Sequence, residues 1–470
     1  MADRQDVEEP LLAGGAPEAA AGEPNGTPGT PLVGDHDWVD SALDEDEARV
    51  RSFVAHKRTD HKQSAWYQTT TALLSLQLGW GLWLFPHSFA RLGWIPSLTI
   101  TVLLAVGTAY SGSLYSRLFL AVPSTVLFGD VGAAAAGPRG RQVVYAIIYS
   151  LDATRCIILH LAATQSLQHA LGDAAPPMWQ CGLAVLVLAA AATQVRALSQ
   201  LSWFFLTGTV AQLVAIGIVV YELLSDPDPA AKTELVRASG HYERQFVALF
   251  SMVFAFGGQF AFTELMTDMR RPSEFPKAIS VCTVIMSTLY AALGSAGYWS
   301  KGLDVADIVI FSLGESALAR VAAGCILIQA LAQQLVNIHV WCHSLLVLLG
   351  RATGHKQSAS ARSAFEHDRW RWLAASLFVV TYSWLISVSL PYFSSLVGIL
   401  ASATYLACAY TLPCYFATVL LRSVMGRAEL ALCYALIPLS LCLSAAGMAS
   451  SISALVQDIR AHGSGFGPPV

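Results

Sequence analysis

The sequence predicts an all-α polytopic membrane protein of about eleven transmembrane helices. Three observations predict it. Hydrophobic residues make up 54% of the 470 residues and charged ones only 13%, a balance that a water-soluble fold would have to hide in an oversized core. Apolar runs of about twenty residues recur from Trp66 to Val456, each long enough to cross a hydrocarbon layer as a helix. Lys and Arg gather between alternate pairs of those runs. Open strands are excluded as spanning elements, because their backbone groups go unpaired in lipid.

Residues 1–60 are polar and rich in Ala, Gly and Pro, with an acidic run at Asp44-Glu45-Asp46-Glu47. They hold too few aliphatics for a core, so a disordered cytosolic tail is expected there. They also lack the apolar stretch of a cleavable signal peptide. Glu8 and Glu9 before Leu11-Leu12 outline a dileucine sorting signal, or else a dipeptide without meaning in such a tail. A transmembrane domain is expected over residues 61–460 and a short extracytosolic tail over 461–470.

The spans read as 66–90, 95–121, 141–170, 178–195, 200–224, 245–267, 276–299, 317–349, 370–390, 392–421 and 428–457. With the N-terminus in the cytosol, about nineteen Lys and Arg fall on the cytosolic side and about seven on the other, a positive-inside asymmetry that places the C-terminus outside. The net charge of -4 selects no class of partner, and no basic stripe interleaved with aromatics suggests nucleic acid. All nine cysteines lie inside predicted spans, from Cys156 to Cys442, so a disulfide framework is not expected.

Because five is odd, a block of spans 1–5 repeated as spans 6–10 is inverted in the membrane. Such a repeat predicts matching interruptions in spans 1 and 6. Span 1 carries Gly79-Trp80-Gly81 with Pro86 following, and span 6 carries Gly257-Gly258. Glycine lowers helix propensity, so both spans can unwind near the midplane; glycines also serve close packing between membrane helices. An unwound helix presents free amides from its second half and free carbonyls from its first, which suits a zwitterion. The carboxylate is expected at the backbone of Gly81 and Leu82, and the ammonium at the carbonyls of Leu78, Phe254 and Phe256.

Three blocks in order carry a family resemblance. TTALLSLQLGWGLWLFPHSFARLGW, from Thr69 to Trp94, resembles the span 1 signature of the amino acid/auxin permease family. FAFGGQFAFTELMTDMRRPSEFPKA, from Phe254 to Ala278, is similar to the span 6 block of its plant-type members. LPYFSSLVGILASATYLACAYTLP, from Leu390 to Pro413, is similar to its span 9–10 region. The resemblance implies a LeuT-type fold of five plus five inverted spans and an eleventh, carriage of amino acids or related compounds such as auxin or GABA, and coupling to protons. The chain departs from the family at Trp80 and Trp83, where smaller residues are usual, and at Gln259, where His is frequent.

Sodium sites of LeuT-type transporters draw hydroxyl oxygens from span 8, but no Ser or Thr stands between Ser316 and Ser344. A proton mechanism instead needs an intramembrane ionisable group that changes partner. Glu264 is one candidate, two helical turns beyond the span 6 break; the alternative is a helix-end contact with Arg270 or Arg271. Asp152 and Arg155 are others, three residues apart on one helix face, where a structural ion pair is the competing account. His339 and His343 stand one turn apart beside Cys342, but no third ligand is legible and no metal is assigned. Gln333, Gln334 and Asn337 are expected along a polar path, with Gln259 beside the break. Trp80, Phe256 and Phe260 are expected as apolar walls, which suit a neutral side chain.

The expectation is therefore proton-coupled transport of neutral amino acids by alternating access, without cofactor or metal, in the plasma membrane or a vacuolar or endolysosomal membrane. A transporter-like amino acid sensor signalling through its N-terminal tail is the rival reading. No paired catalytic carboxylates or Ser/His constellation on facing spans suggest an enzyme.

Overall fold

Glycine and proline decide where the helices of this chain break and bend. The computed structural model describes residues 64–122, 125–194, 202–237, 242–314, 316–352 and 369–462. The segment 1–60, with its Leu11-Leu12 motif, lies outside the described residues.

The first predicted span is two helices, α1 (Trp66–Gln77) and α2 (Phe85–Leu92), joined through a 3-10 turn at Trp80–Leu84. Then follow α3 (Trp94–Ala121), α4 (Phe128–Leu171), α5 (Met178–Ala192) and α6 (Ser202–Ser225). The sixth predicted span is again split, into α7 (Tyr242–Ala255), a 3-10 turn at Gln259–Ala261, and α8 (Phe262–Thr267). α9 (Phe275–Lys301), α10 (Ala317–Ala352), α11 (Arg369–Ser389), α12 (Phe393–Leu400), α13 (Leu412–Leu420) and α14 (Arg427–His462) complete the order. Among the described residues there is no strand, only an isolated bridge between Ser64 and Met269 that ties the entry of α1 to the exit of α8. Among the described residues, nine helical segments are long and apolar enough to cross a membrane; α5 is shorter, and the α1–α2 pair is broken.

Two elements differ from the sequence expectation. Span 3 starts earlier than residue 141, because Phe128–Ala135 is already helical and Gly137, at φ 64°, bends the chain into the rest of α4 ahead of Pro138. A positive φ there is open to glycine without strain. Between α12 and α13 the chain is π-helical at Ala401–Tyr405 and Ala407–Thr411. Pro413 has no N–H, so the carbonyls it vacates need other donors. Ser111 on α3 donates to the Ala409 carbonyl at 2.6 Å and Tyr115 to the Cys408 carbonyl at 2.8 Å. A helix irregularity is thereby made compatible with lipid.

Burial separates inner from outer helices. In the windows of Tyr242–Thr267 and Phe393–Leu420, 72% of residues are buried; for Arg427–Ala461 the share is 17%, so α14 is peripheral. Around the broken helices sits an aromatic core: the Tyr290 ring lies 4.7 Å from Phe85 and 5.3 Å from Phe256. Such pairs contribute about 0.5–1.5 kcal/mol each beyond area burial.

Candidate functional site

The site is built by the two interruptions. The last regular hydrogen bond of α1 runs from Leu78 N to Leu74 O at 2.7 Å, after which Gly79 N turns back to Gln77 O at 2.8 Å. Leu82 N reaches Gly79 O at 3.3 Å, while the amides of Trp80 and Gly81 find no acceptor among the described residues. They are the unsatisfied donors that any helix start leaves. In span 6, Gly258 N donates to the Gln259 side-chain oxygen at 2.8 Å, and Gln259 Nε2 donates to Phe256 O at 3.1 Å. Gln259 thus closes onto its own break.

The two breaks cross. A Cβ on Gly81 would overlap the backbone of Ala255, the last residue of α7, and a Cβ on Gly258 would overlap the side chain of Gln77, the last residue of α1. Each break therefore packs on the end of the opposite first half-helix, as two inverted repeats require. Tyr290 on α9 joins them, its hydroxyl 2.9 Å from Ala255 O and 3.0 Å from Gln77 O. Helix-end carbonyls of both spans are so occupied by one side chain.

Beside this crossing lies a cavity with an empty volume of about 400 Å³, part of it open to solvent. Of the residues expected from sequence, Gly79, Trp80, Gly81, Phe254, Gly257, Arg155 and Gln333 line it. Leu78, Leu82, Phe256, Gly258 and Gln259 are buried in the breaks but outside the lining. Sequence reasoning passed over Gln77 and Tyr405, which also line it. Tyr405 sits in the π-helical stretch, against Phe254 at 5.4 Å and Phe260 at 6.3 Å, and nothing in local periodicity announced it.

The polar residues of spans 3 and 8 divide. Asn337 donates to Asp152 O at 2.9 Å and to Cys156 Sγ at 3.0 Å, clamping α10 to α4. Gln334 pairs with His160 Nδ1 at 2.9 Å. Neither Gln334 nor Asn337 is among the cavity-lining residues. The ion pair considered for Asp152 and Arg155 is not formed: among the described residues neither side chain has an ion-pair partner within 4.0 Å. Arg155 instead lies over the Phe260 ring, 5.0 Å from its centroid. The aromatic face attracts the cation across the helix interface, which i,i+3 spacing within α4 could not foretell.

Glu264 is exposed on α8 and makes no ion pair with Arg270 or Arg271; Arg271 pairs with Glu274 at 3.4 Å. Its charged neighbours are the carboxylates of Asp152 and Asp268. His339 bonds Leu335 O through Nδ1 at 2.7 Å and packs its ring on Trp372. Among the described residues, no three His, Cys, Asp or Glu side chains form a metal-binding group.

A polar cluster closes the far end of α2. His87 Nδ1 lies 3.1 Å from Val305 O, and Arg91 Nε donates to His87 Nε2 at 3.2 Å. Asp307 lies 3.3 Å from the same His87 Nε2, beside Arg91, and its carboxylate accepts a hydrogen bond from Ser394 at the start of α12. Burial alone pushes the Asp307 carboxyl up, yet 45% of its side chain stays exposed, and His87, Ser394, Arg91 and Arg244 together hold it below the usual 3.8. Next to it, Arg244 bonds Asp458 at 2.6 Å, and Asp458 accepts from Ser395 at 3.0 Å.

Comparison with known proteins gives a consistent result. A family model described as transmembrane amino acid transporter protein matches residues 62–457. Amino acid transporter AVT1H of Arabidopsis thaliana is 22% identical over 437 residues, spanning 89% of this chain and 96% of that protein. Amino acid transporter AVT3B of the same plant is 22% identical over 442 residues, spanning 88% and 99%. Among solved structures, Mhp1, a nucleobase-cation-symport-1 family transporter in a closed conformation with bromovinylhydantoin bound, aligns with a TM-score of 0.54 at 10% identity. The alignment covers 85% of this chain and 92% of Mhp1. That likeness shows a LeuT-type fold.

Proposed function

The chain belongs to the transmembrane amino acid transporter family, and we propose on that premise that it carries neutral amino acids by alternating access, coupled to protons. It is an integral membrane protein whose relatives and fold are those of transporters. The observation that carries the reading is the crossing of the two breaks beside a small cavity. There the free amides of Trp80 and Gly81 offer a carboxylate site, and the negative dipole ends of the two first half-helices converge on the same crossing, which suits an ammonium. Trp80, Ile158, Leu159 and Phe254 supply apolar walls, and no Asp or Glu lines the space, which supports a neutral side chain over a basic one.

Proton coupling is supported by two carboxylates, Asp152 and Glu264, that interact electrostatically and are held in no ion pair among the described residues. A carboxylate in the membrane without an ion-pair partner can exchange a proton as a rocking bundle changes its surroundings. The absence of Ser and Thr from the α10 sequence between 317 and 343 argues against sodium. We place the N-terminus in the cytosol and the C-terminus outside, with spans 1–5 and 6–10 as inverted halves and α14 as the added span. The membrane is then the plasma membrane or that of a vacuole or endolysosome.

The test is reconstitution in liposomes with an imposed pH gradient, offering labelled amino acids one at a time. Accumulation of neutral amino acids that collapses with a protonophore is expected. Uptake indifferent to the gradient, or confined to charged amino acids, would sink the corresponding part of the proposal.

A further inference from the structure

The cavity between the breaks is rich in hydrogen-bond donors without acceptors. Arg155 is the sole charged side chain among the described lining residues, and it lies over the face of Phe260 with no ion pair within 4.0 Å among the described residues. Asp152 is near enough to interact with Arg155 electrostatically but forms no ion pair with it, so an anion bound in the cavity supplies the partner that the guanidinium lacks. Gln77 is only 4% exposed, and its Nε2 has no hydrogen-bond partner among the described residues, although the residue lines the same space. The amides of Trp80 and Gly81 add two more donors. Asp152, one turn before Arg155 on α4, does not come within 4.0 Å of it and lies outside the lining.

We propose that Arg155 is the residue that binds the carboxylate of the transported amino acid, within a cradle completed by Gln77 and the amides of Trp80 and Gly81. The inference rests on the cavity being the substrate site. Guanidinium presents a planar fork of donors that matches a carboxylate in two parallel bonds, which an ammonium or an amide cannot reproduce. The cradle joins three separate elements: α4 supplies the charge, α1 the amide side chain, and the span 1 break the backbone donors. It makes the free carboxylate, more than the side chain, the feature that the site demands. Amines and amino acid amides, which retain the ammonium but lack the anion, are excluded.

The experiment measures how well the carboxamide of the best substrate competes with that substrate for uptake into liposomes. It compares the wild type with Arg155→Gln, Arg155→Lys and Gln77→Leu. A charge-assisted hydrogen bond contributes about 1.5–3 kcal/mol, which is about ten- to a hundredfold in discrimination. Arg155→Gln should lose that factor, Arg155→Lys should keep part of it, and Gln77→Leu should lose a smaller share. Should Arg155→Gln not insert stably, the Lys and Leu variants carry the comparison, supported by amino acid against carboxamide in thermal-shift titrations. Reduced uptake with discrimination intact in all variants would mean that Arg155 serves only to hold Phe260, and would overturn the proposal. A wild type that transports no amino acid would instead overturn the functional reading beneath it.

Discussion

Gly81 lies against Ala255 so closely that a methyl group in place of its hydrogen would overlap the Ala255 backbone. Backbone yields far less readily than a side-chain end, and overpacking costs about 1–3 kcal/mol even in favourable cases. Gly81→Ala is therefore expected to abolish uptake while the protein still reaches the membrane. Gly258→Val should do the same, because its Cβ meets the Gln77 side chain, with Cγ at 2.7 Å. Gly324 on α10 has open space around it, so Gly324→Ala should transport normally. Equal uptake by all three variants would mean that the two breaks do not cross as described.

Tyr290 spans the crossing with one hydroxyl, so Tyr290→Phe leaves the Ala255 carbonyl without its donor, while the Gln77 carbonyl keeps the amide of Gly79. Burying such groups unpaired costs about 1–3 kcal/mol. Lower thermal stability in detergent and slower transport are expected together. An unchanged melting temperature with unchanged uptake would show that water replaces the hydroxyl at no cost.

Glu264 neighbours Asp152 and Asp268 and pairs with no cation within 4.0 Å among the described residues. Glu264→Gln should retain exchange of amino acid across the membrane but lose accumulation against a gradient. Concentrative uptake with normal pH dependence in this variant would remove Glu264 from the coupling mechanism.

Asp307 ties the loop before α10 to α12 through Ser394 and lies against His87 and Arg91 of α2. Because its folded pKa is depressed, its stabilising contribution is complete above the ordinary 3.8 and disappears as pH falls through the lower folded value. Asp307→Asn should then lower thermal stability equally at neutral and mildly acidic pH, with the gap to wild type closing only below the ordinary carboxylate range. A gap that already closes between neutral and mildly acidic pH would contradict this assignment.

Much of the architecture was legible in the order of residues. Runs such as Trp94–Ala121 fix their own helical state, since lipid offers no other partner for the backbone. The glycines at 79, 81, 257 and 258 marked both interruptions, because propensity is a local property. Arg155 shows where local reasoning stops. Its spacing from Asp152 is that of a helix ion pair, but Phe260 comes from a segment a hundred residues away and competes for the cation. The π-helical stretch that delivers Tyr405 was equally hidden, since Ser111 and Tyr115 on α3 satisfy the carbonyls that Pro413 leaves open.

The sequence by itself determined that this chain lives in lipid, where its helices lie and which two of them can unwind, because hydropathy and glycine act within a few residues. Tertiary structure alone decided which unwound ends meet, that Gln77 and Tyr405 reach the cavity, and that Arg155 lies over Phe260 without an ion pair to Asp152. Those outcomes depend on the packing of distant helices, where one side chain chooses among partners that no stretch of sequence brings together.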